Sequence, residues 1–160
     1  EEHLAVYVGT KGRGLRAFGE AALPEPLDPD TQYVLREATI HAICQHPLAP
    51  ERLYIATDKG IYTSDDGKSF YRTAYALASA RVLALIADPL TTRTLYAGIA
   101  GGGIMVSHDA GATWARLGTG LERATVTSLA IAEQPFRTLY AGSTAGLWRL
   151  GLADFPTGTP

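Results

Sequence analysis

His41, Cys44 and His46 crowd one short segment and are the first residues to weigh for chemistry. The two histidines are five positions apart, on a strand-like run and its continuation, and that odd spacing turns them to opposite faces, so no shared metal ion is expected. Cys44 and His46 share a face and would permit a thiol–imidazole pair. Ala42, Ile43 and Pro47 beside them favour a packed strand instead, and no third residue is at hand to orient the imidazole. Gly9-Thr10-Lys11-Gly12-Arg13-Gly14 has the glycines of a phosphate cradle. It lacks the G-x-x-x-x-G-K-[ST] spacing and joins two strand-like runs, which predicts a hairpin turn.

The carboxylates with the most regular surroundings lie in two related octapeptides. Ser107-His108-Asp109-Ala110-Gly111-Ala112-Thr113-Trp114 reads S-x-D-x-G-x-T-W, and Thr63-Ser64-Asp65-Asp66-Gly67-Lys68-Ser69-Phe70 reads T-x-D-x-G-x-S-F. A short carboxylate in a hairpin accepts N–H bonds from its own turn, glycine supplies a backbone conformation closed to other residues, and hydroxyls tie down the neighbours. Thr63, Asp65, Gly67, Ser69 and Phe70, like Ser107, Asp109, Gly111, Thr113 and Trp114, are therefore expected to be structural, each closing aromatic forming a wedge between sheets. No catalytic residue, cofactor or metal is assigned. Tyr54, Tyr96 and Tyr140 recur at one place, as do Arg52, Arg93 and Arg137 just before them, and such regularity points to packing. Lys11, Arg13, Asp58 and Lys59 do not recur, nor does Gly101-Gly102-Gly103; the four charged residues are the candidate rim-binding positions.

The elements that carry these residues are repeats. Val6-Tyr7-Val8-Gly9, Leu53-Tyr54-Ile55-Ala56, Leu95-Tyr96-Ala97-Gly98 and Leu139-Tyr140-Ala141-Gly142 put tyrosines at 7, 54, 96 and 140, and a Gly-aliphatic pair follows each, centred on Leu15, Ile61, Ile104 and Leu147. A third landmark, an apolar run, begins at Ile40, Val82 and Val126. Units of about 40 to 45 residues suit either a propeller blade or a helical repeat. Tyr, Val, Ile and Thr with frequent Gly and Pro choose strands. The second unit is expected as strands over 40–45, 52–56, 60–64 and 69–74, the third over 82–87, 93–98, 103–107 and 113–117. Pro47, Pro89 and Pro135 fall between first and second strands, where a missing N–H harms no ladder. The fold class is all-β: propeller blades of four-stranded antiparallel sheets, about three and a half of them. One partial domain spans 1–160, with units over 4–39, 40–81, 82–125 and 126–154 and a tail at 155–160. The first unit lacks its first strand and carries a Pro-rich insert over 21–32; the fourth lacks its last strand.

A net charge of −2 gives no reason to expect nucleic acid or a membrane surface as partner. The single cysteine excludes an internal disulfide, no apolar run reaches bilayer-spanning length, and Glu-Glu-His does not open a signal peptide.

The two octapeptides resemble the Asp-box, or BNR repeat, and the chain is similar to the Asp-box β-propellers, which include sialidases, sortilin-type ectodomains, some xyloglucan hydrolases and photosystem assembly factors. In that family the box lies at the periphery, which implies a structural role for Asp65 and Asp109. Closure removes exposed sheet edges, so an open set of blades is expected to self-associate, preferably as a two-fold homodimer completing a ring, to take a protein partner, or to be a piece of a longer protein. A four-bladed closed monomer is the second architecture. The functional expectation is a non-enzymatic binding or scaffold module, with a glycan as a further candidate ligand. The alternative is a glycoside hydrolase of the sialidase or xyloglucanase kind, which would need a tyrosine nucleophile among arginines or a pair of opposed carboxylates.

Overall fold

The computed structural model describes residues 5–19, 31, 36–67, 69–73 and 75–152. Thirteen strands among them form four antiparallel sheets. The first sheet pairs β1 (Ala5–Gly9) with β2 (Leu15–Gly19). The second runs β3 (Ile40–His46), β4 (Ala49–Thr57), β5 (Gly60–Ser64), β6 (Tyr71–Arg72) in that order. The third repeats it with β7 (Val82–Ala87), β8 (Leu95–Ile99), β9 (Gly103–Ser107), β10 (Ala115–Arg116). The fourth holds β11 (Val126–Ala132), β12 (Thr138–Ser143), β13 (Gly146–Gly151), and among the described residues no strand pairs with the outer edge of β13. These are propeller blades, two of them complete. The Pro-rich insert lies outside the described residues except for Thr31, whose hydroxyl donates to the Phe70 carbonyl at 2.8 Å, and the 155–160 tail lies outside them altogether. The outer strands, expected over 69–74 and 113–117, are only two residues long, because the hairpins before them take up the rest.

The first strands β3, β7 and β11 lie against one another, so the sheets splay from a common side. The core accordingly has three parts, each between two neighbouring blades. Leu15, Leu53, Ile55, Tyr62 and Phe70 fill the first junction; Tyr54, Ala56, Ile61, Val82, Leu85 and Leu95 the second; Tyr96, Ile104, Val126, Leu139 and Ala141 the third. Alternate residues of β4 serve different junctions, so Leu53 to Thr57 are buried without a break. On β12, in the end blade, burial alternates with partial exposure because only one face is covered.

Backbone bonds fix each blade to the next at matching places. Gly14, Gly60 and Gly103 donate to the carbonyls of Ala38, Ala80 and Ala124, which lie on the connections leading to the next blade. Gly103 has φ of 72°, and a Cβ there would lie 2.5 Å from the Leu121 carbonyl oxygen. On Gly98 a Cβ would lie 2.7 Å from Val126 Cγ1, so the glycine of the recurring Leu-Tyr-Ala-Gly lets the next blade's first strand approach closely. His46 and Asp88, at the same repeat position, make side-chain clasps. His46 Nδ1 accepts from the Leu48 N–H and its Nε2 therefore donates to the Thr91 carbonyl of the next blade, at 3.1 Å each. Both oxygens of Asp88 accept from one guanidinium nitrogen of the buried Arg137, at 2.7 and 2.8 Å, and Oδ1 also accepts from the Leu90 N–H at 2.9 Å.

Candidate functional site

The second and third blades part at one end to leave a cleft of about 190 Å³, lined by Arg52, Tyr54, Thr63, Asp65, Tyr71, Thr73, Asp109, Ala110 and Ala112. Its back wall comes from β4 and β5, its side from β6, and its front from the 109–112 stretch of the next blade's hairpin. Arg52 donates from Nε to Asp65 Oδ1 at 2.6 Å, and the Tyr71 hydroxyl donates to Asp65 Oδ2 at 2.5 Å. The carboxylate thus joins the second and outermost strands of one blade, with 49% of its side chain exposed. Tyr54 lies beneath, fully buried; its hydroxyl makes no hydrogen bond of normal geometry among the described residues, and the Arg52 guanidinium is its polar neighbour, near enough to interact with it. Burial and the Asp65 carboxylate push the Tyr71 phenol up to about 12, and burial, with Asp65 adding to it, raises Tyr54.

Asp109 is tied down by its own hairpin. Oδ1 accepts from the Ser107 hydroxyl and the Thr113 N–H, 2.8 Å each, Oδ2 accepts from the Thr113 hydroxyl, and Ser107 Oγ accepts from the Gly111 N–H. These donors, the Thr113 pair foremost, hold the carboxyl down at about 2, so it stays ionised and supplies no proton at neutral pH. Trp114 donates from Nε1 to the Gly111 carbonyl and packs on the junction between the second and third blades.

In the second blade the same bonds belong to Asp66, and the assignment of Asp65 to that role is corrected. Asp66 Oδ1 accepts from the Ser64 hydroxyl and the Ser69 N–H, and Oδ2 from the Ser69 hydroxyl. Strand register is the reason: Ser64 pairs with Leu53 as Ser107 pairs with Leu95, so Ser64 and Asp66 match Ser107 and Asp109, and the hairpin is one residue shorter. Thr63 sits one step earlier and donates to the Leu53 carbonyl. A signal in the sequence could have shown this, since 43 residues separate Asp66 from Asp109 just as they separate Ile61 from Ile104. Gly67 has φ of 68° and Phe70 is fully buried at the first junction.

The rim candidates lie at the opposite end of the sheets. Lys11 and Arg13 occupy the β1–β2 turn, and Asp58 and Lys59 the β4–β5 turn. Lys11, Arg13 and Lys59 are exposed, while Asp58 is half-buried and accepts from the Thr39 N–H at 3.3 Å. His41 stands at that end too, lowered in pKa by burial and by Arg81, against the pull of Asp58. Cys44 is raised by burial, the opposite of what a reactive thiolate needs. Sequence reasoning missed Arg52, Tyr54 and Tyr71 as a group, having set the recurring tyrosines and arginines aside as packing.

No protein-family model matches this chain. Over 112 residues, 68% of this chain, it is 32% identical to a xyloglucanase of Hypocrea jecorina (strain QM6a), of which it spans 12%. Its structure is similar to that of an ancestral GH74 enzyme, with a TM-score of 0.69 at 14% identity, covering 91% of this chain and 21% of the other. It is also similar to the GH74 xyloglucanase of Xanthomonas campestris, with a TM-score of 0.50 at 15% identity, covering 94% of this chain and 35% of that one. The chain thus spans a minor part of each of these three proteins. The expectation of a non-enzymatic binding or scaffold module is overturned here, because the sequence match is to a xyloglucanase, an enzyme.

Proposed function

We propose that these blades belong to a β-propeller glycoside hydrolase that cleaves a neutral β-glucan of the xyloglucan kind. The observation that carries the reading is the 112-residue match at 32% identity to a xyloglucanase. The site chemistry favours this branch over the sialidase one. A tyrosine nucleophile needs an activated phenol, whereas Tyr71, the tyrosine beside a carboxylate and an arginine, sits at about 12. Recognition of an acidic sugar needs an arginine free of carboxylates, and Arg52 is held by Asp65. The two hairpins at 64–70 and 107–114 are read as Asp-boxes with Asp66 and Asp109 as their carboxylates, so the acid and base of hydrolysis lie elsewhere than on these two residues. Incubation of the native-length protein with xyloglucan, a mixed-linkage glucan and a sialyl-lactose substrate tests this. Release of reducing ends from xyloglucan above the others is expected, and release of sialic acid alone, or no release from any, would overturn it.

The two end blades carry a second proposal, that of self-association into a two-fold ring. Val6, Val8 and Phe18 on the first blade and Leu147 on the fourth are exposed apolar side chains on sheets that, among the described residues, have a neighbouring blade on one side only.

A further inference from the structure

Tyr7, Tyr54 and Tyr96 hold one position in successive blades, and the way each hydroxyl is used exposes a departure from the repeat. Tyr7 donates to the Gly67 carbonyl in the next blade's hairpin at 2.7 Å. Tyr96 lies against Asp88, and burial together with that carboxylate pushes its phenol up to about 12. Tyr54 is fully buried, and its hydroxyl has the Arg52 guanidinium beside it but no hydrogen bond of normal geometry among the described residues. The hairpin that would serve it is longer by one residue, with Ala110 at φ of 60°, and the Gly111 carbonyl, the counterpart of the Gly67 carbonyl, already accepts from Trp114. A buried hydroxyl without a well-formed hydrogen bond is costly, and this one belongs to a residue that lines an open cleft.

We propose that this cleft is a subsite for a single ring of an uncharged sugar, held at the Tyr54 hydroxyl and the Arg52–Asp65 pair with one face of the ring on Tyr71. The volume of about 190 Å³ lies below the roughly 300 Å³ at which pockets for drug-sized ligands begin, which suits one ring rather than a chain buried along its length. Asp65 is 49% exposed, and each of its oxygens, already accepting once, has a lone pair left for a sugar hydroxyl. Arg52 has donors beyond the Nε–H that Asp65 uses, so the pair can accept from one hydroxyl and donate to its neighbour. Tyr71 is 45% exposed and offers an aromatic face. The lining holds one cation against two carboxylates, which admits a neutral sugar and repels an acidic one. The site lies at the far end of the sheets from Asp58 and Lys59.

Amide-resolved NMR titration of the chain with methyl β-xyloside, methyl β-glucoside and methyl α-galacturonate tests the subsite. Either neutral glycoside should shift the amides of Asp65, Ala110 and Gly111 and the Trp114 indole N–H, and the galacturonate should not. Tyr54→Phe should keep or raise the melting temperature, since it removes a buried hydroxyl without a well-formed hydrogen bond, while weakening glycoside binding by about tenfold. Asp65→Asn, at an exposed side chain, should also weaken binding with the fold intact. No shifts with the neutral glycosides, equal shifts with the galacturonate, unchanged affinity in both variants, or a clear loss of stability in Tyr54→Phe would each overturn it. The inference takes only its choice of probes from the proposed hydrolase. Shifts in a protein without hydrolytic activity leave the subsite standing, and an active hydrolase without shifts removes the subsite alone.

Discussion

Asp65 and Asp66 are neighbours with the same side chain and opposite duties. Asp66 binds two donors of its own hairpin turn and one hydroxyl at its start, while Asp65 faces outward to Arg52 and Tyr71. Asp66→Ala should destabilise the chain by about 1–3 kcal/mol, because hairpin donors lose their acceptor. Asp65→Ala removes one exposed ion pair and should cost under about 1 kcal/mol. Urea unfolding of the two variants checks this, and equal losses would return Asp65 to the hairpin role. The hairpin was legible in the sequence from its Asp, Gly, hydroxyl and aromatic. The choice between adjacent aspartates was not settled by matching octapeptides, because a hairpin can lose a residue without losing its function, and the strand register decides which aspartate faces the turn.

At the scale of elements, the ends of β3 and β7 are clasps between blades, by imidazole at His46 and by carboxylate at Asp88. His46 is buried, and burial lowers its pKa, with Arg52 also lowering it and the Thr91 carbonyl, Asp88 and Glu51 opposing. Its folded pKa therefore lies below the unfolded value of about 6.5, and the folded state binds fewer protons. The stability it contributes is present above that pH and is lost as pH falls through and below it. Melting temperature should fall between about pH 6.5 and pH 5, and His46→Gln should flatten that fall, although the variant starts less stable. An identical slope in the variant would place the titration elsewhere, with His41, also lowered by burial, the first to examine. Different residue types in the same role explain why sequence comparison of the units passed over this position, while the strands themselves, marked by recurring Tyr, Gly and Pro, were read within a few residues.

For the whole molecule, the three-part core makes each blade depend on its neighbours, and among the described residues the end blades have one neighbour each. Leu147 is 78% exposed, and Phe18 is 59% exposed on the other end sheet. If a second copy covers them, sedimentation of the chain should give the mass of two chains, and Phe18→Arg combined with Leu147→Arg should return it to one. A single-chain mass for the unaltered protein would sink the two-fold ring. The near-neutral charge balance was plain from composition, but the likeness to an enzyme was not, because absence of a catalytic motif carries little weight in a chain that spans 12% of the xyloglucanase it matches.

The repeat by itself determined the architecture, because spacing, strand-forming residues and turn glycines act locally and survive without knowledge of the neighbours. Only the tertiary structure decided that Asp66 holds the turn, that Asp65, Arg52 and Tyr71 form one group, and that the Tyr54 hydroxyl makes no hydrogen bond of normal geometry among the described residues. These facts depend on which groups from different strands and blades meet across a junction, and a one-residue change in hairpin length, invisible to the period of the repeat, is enough to open or close the space between them.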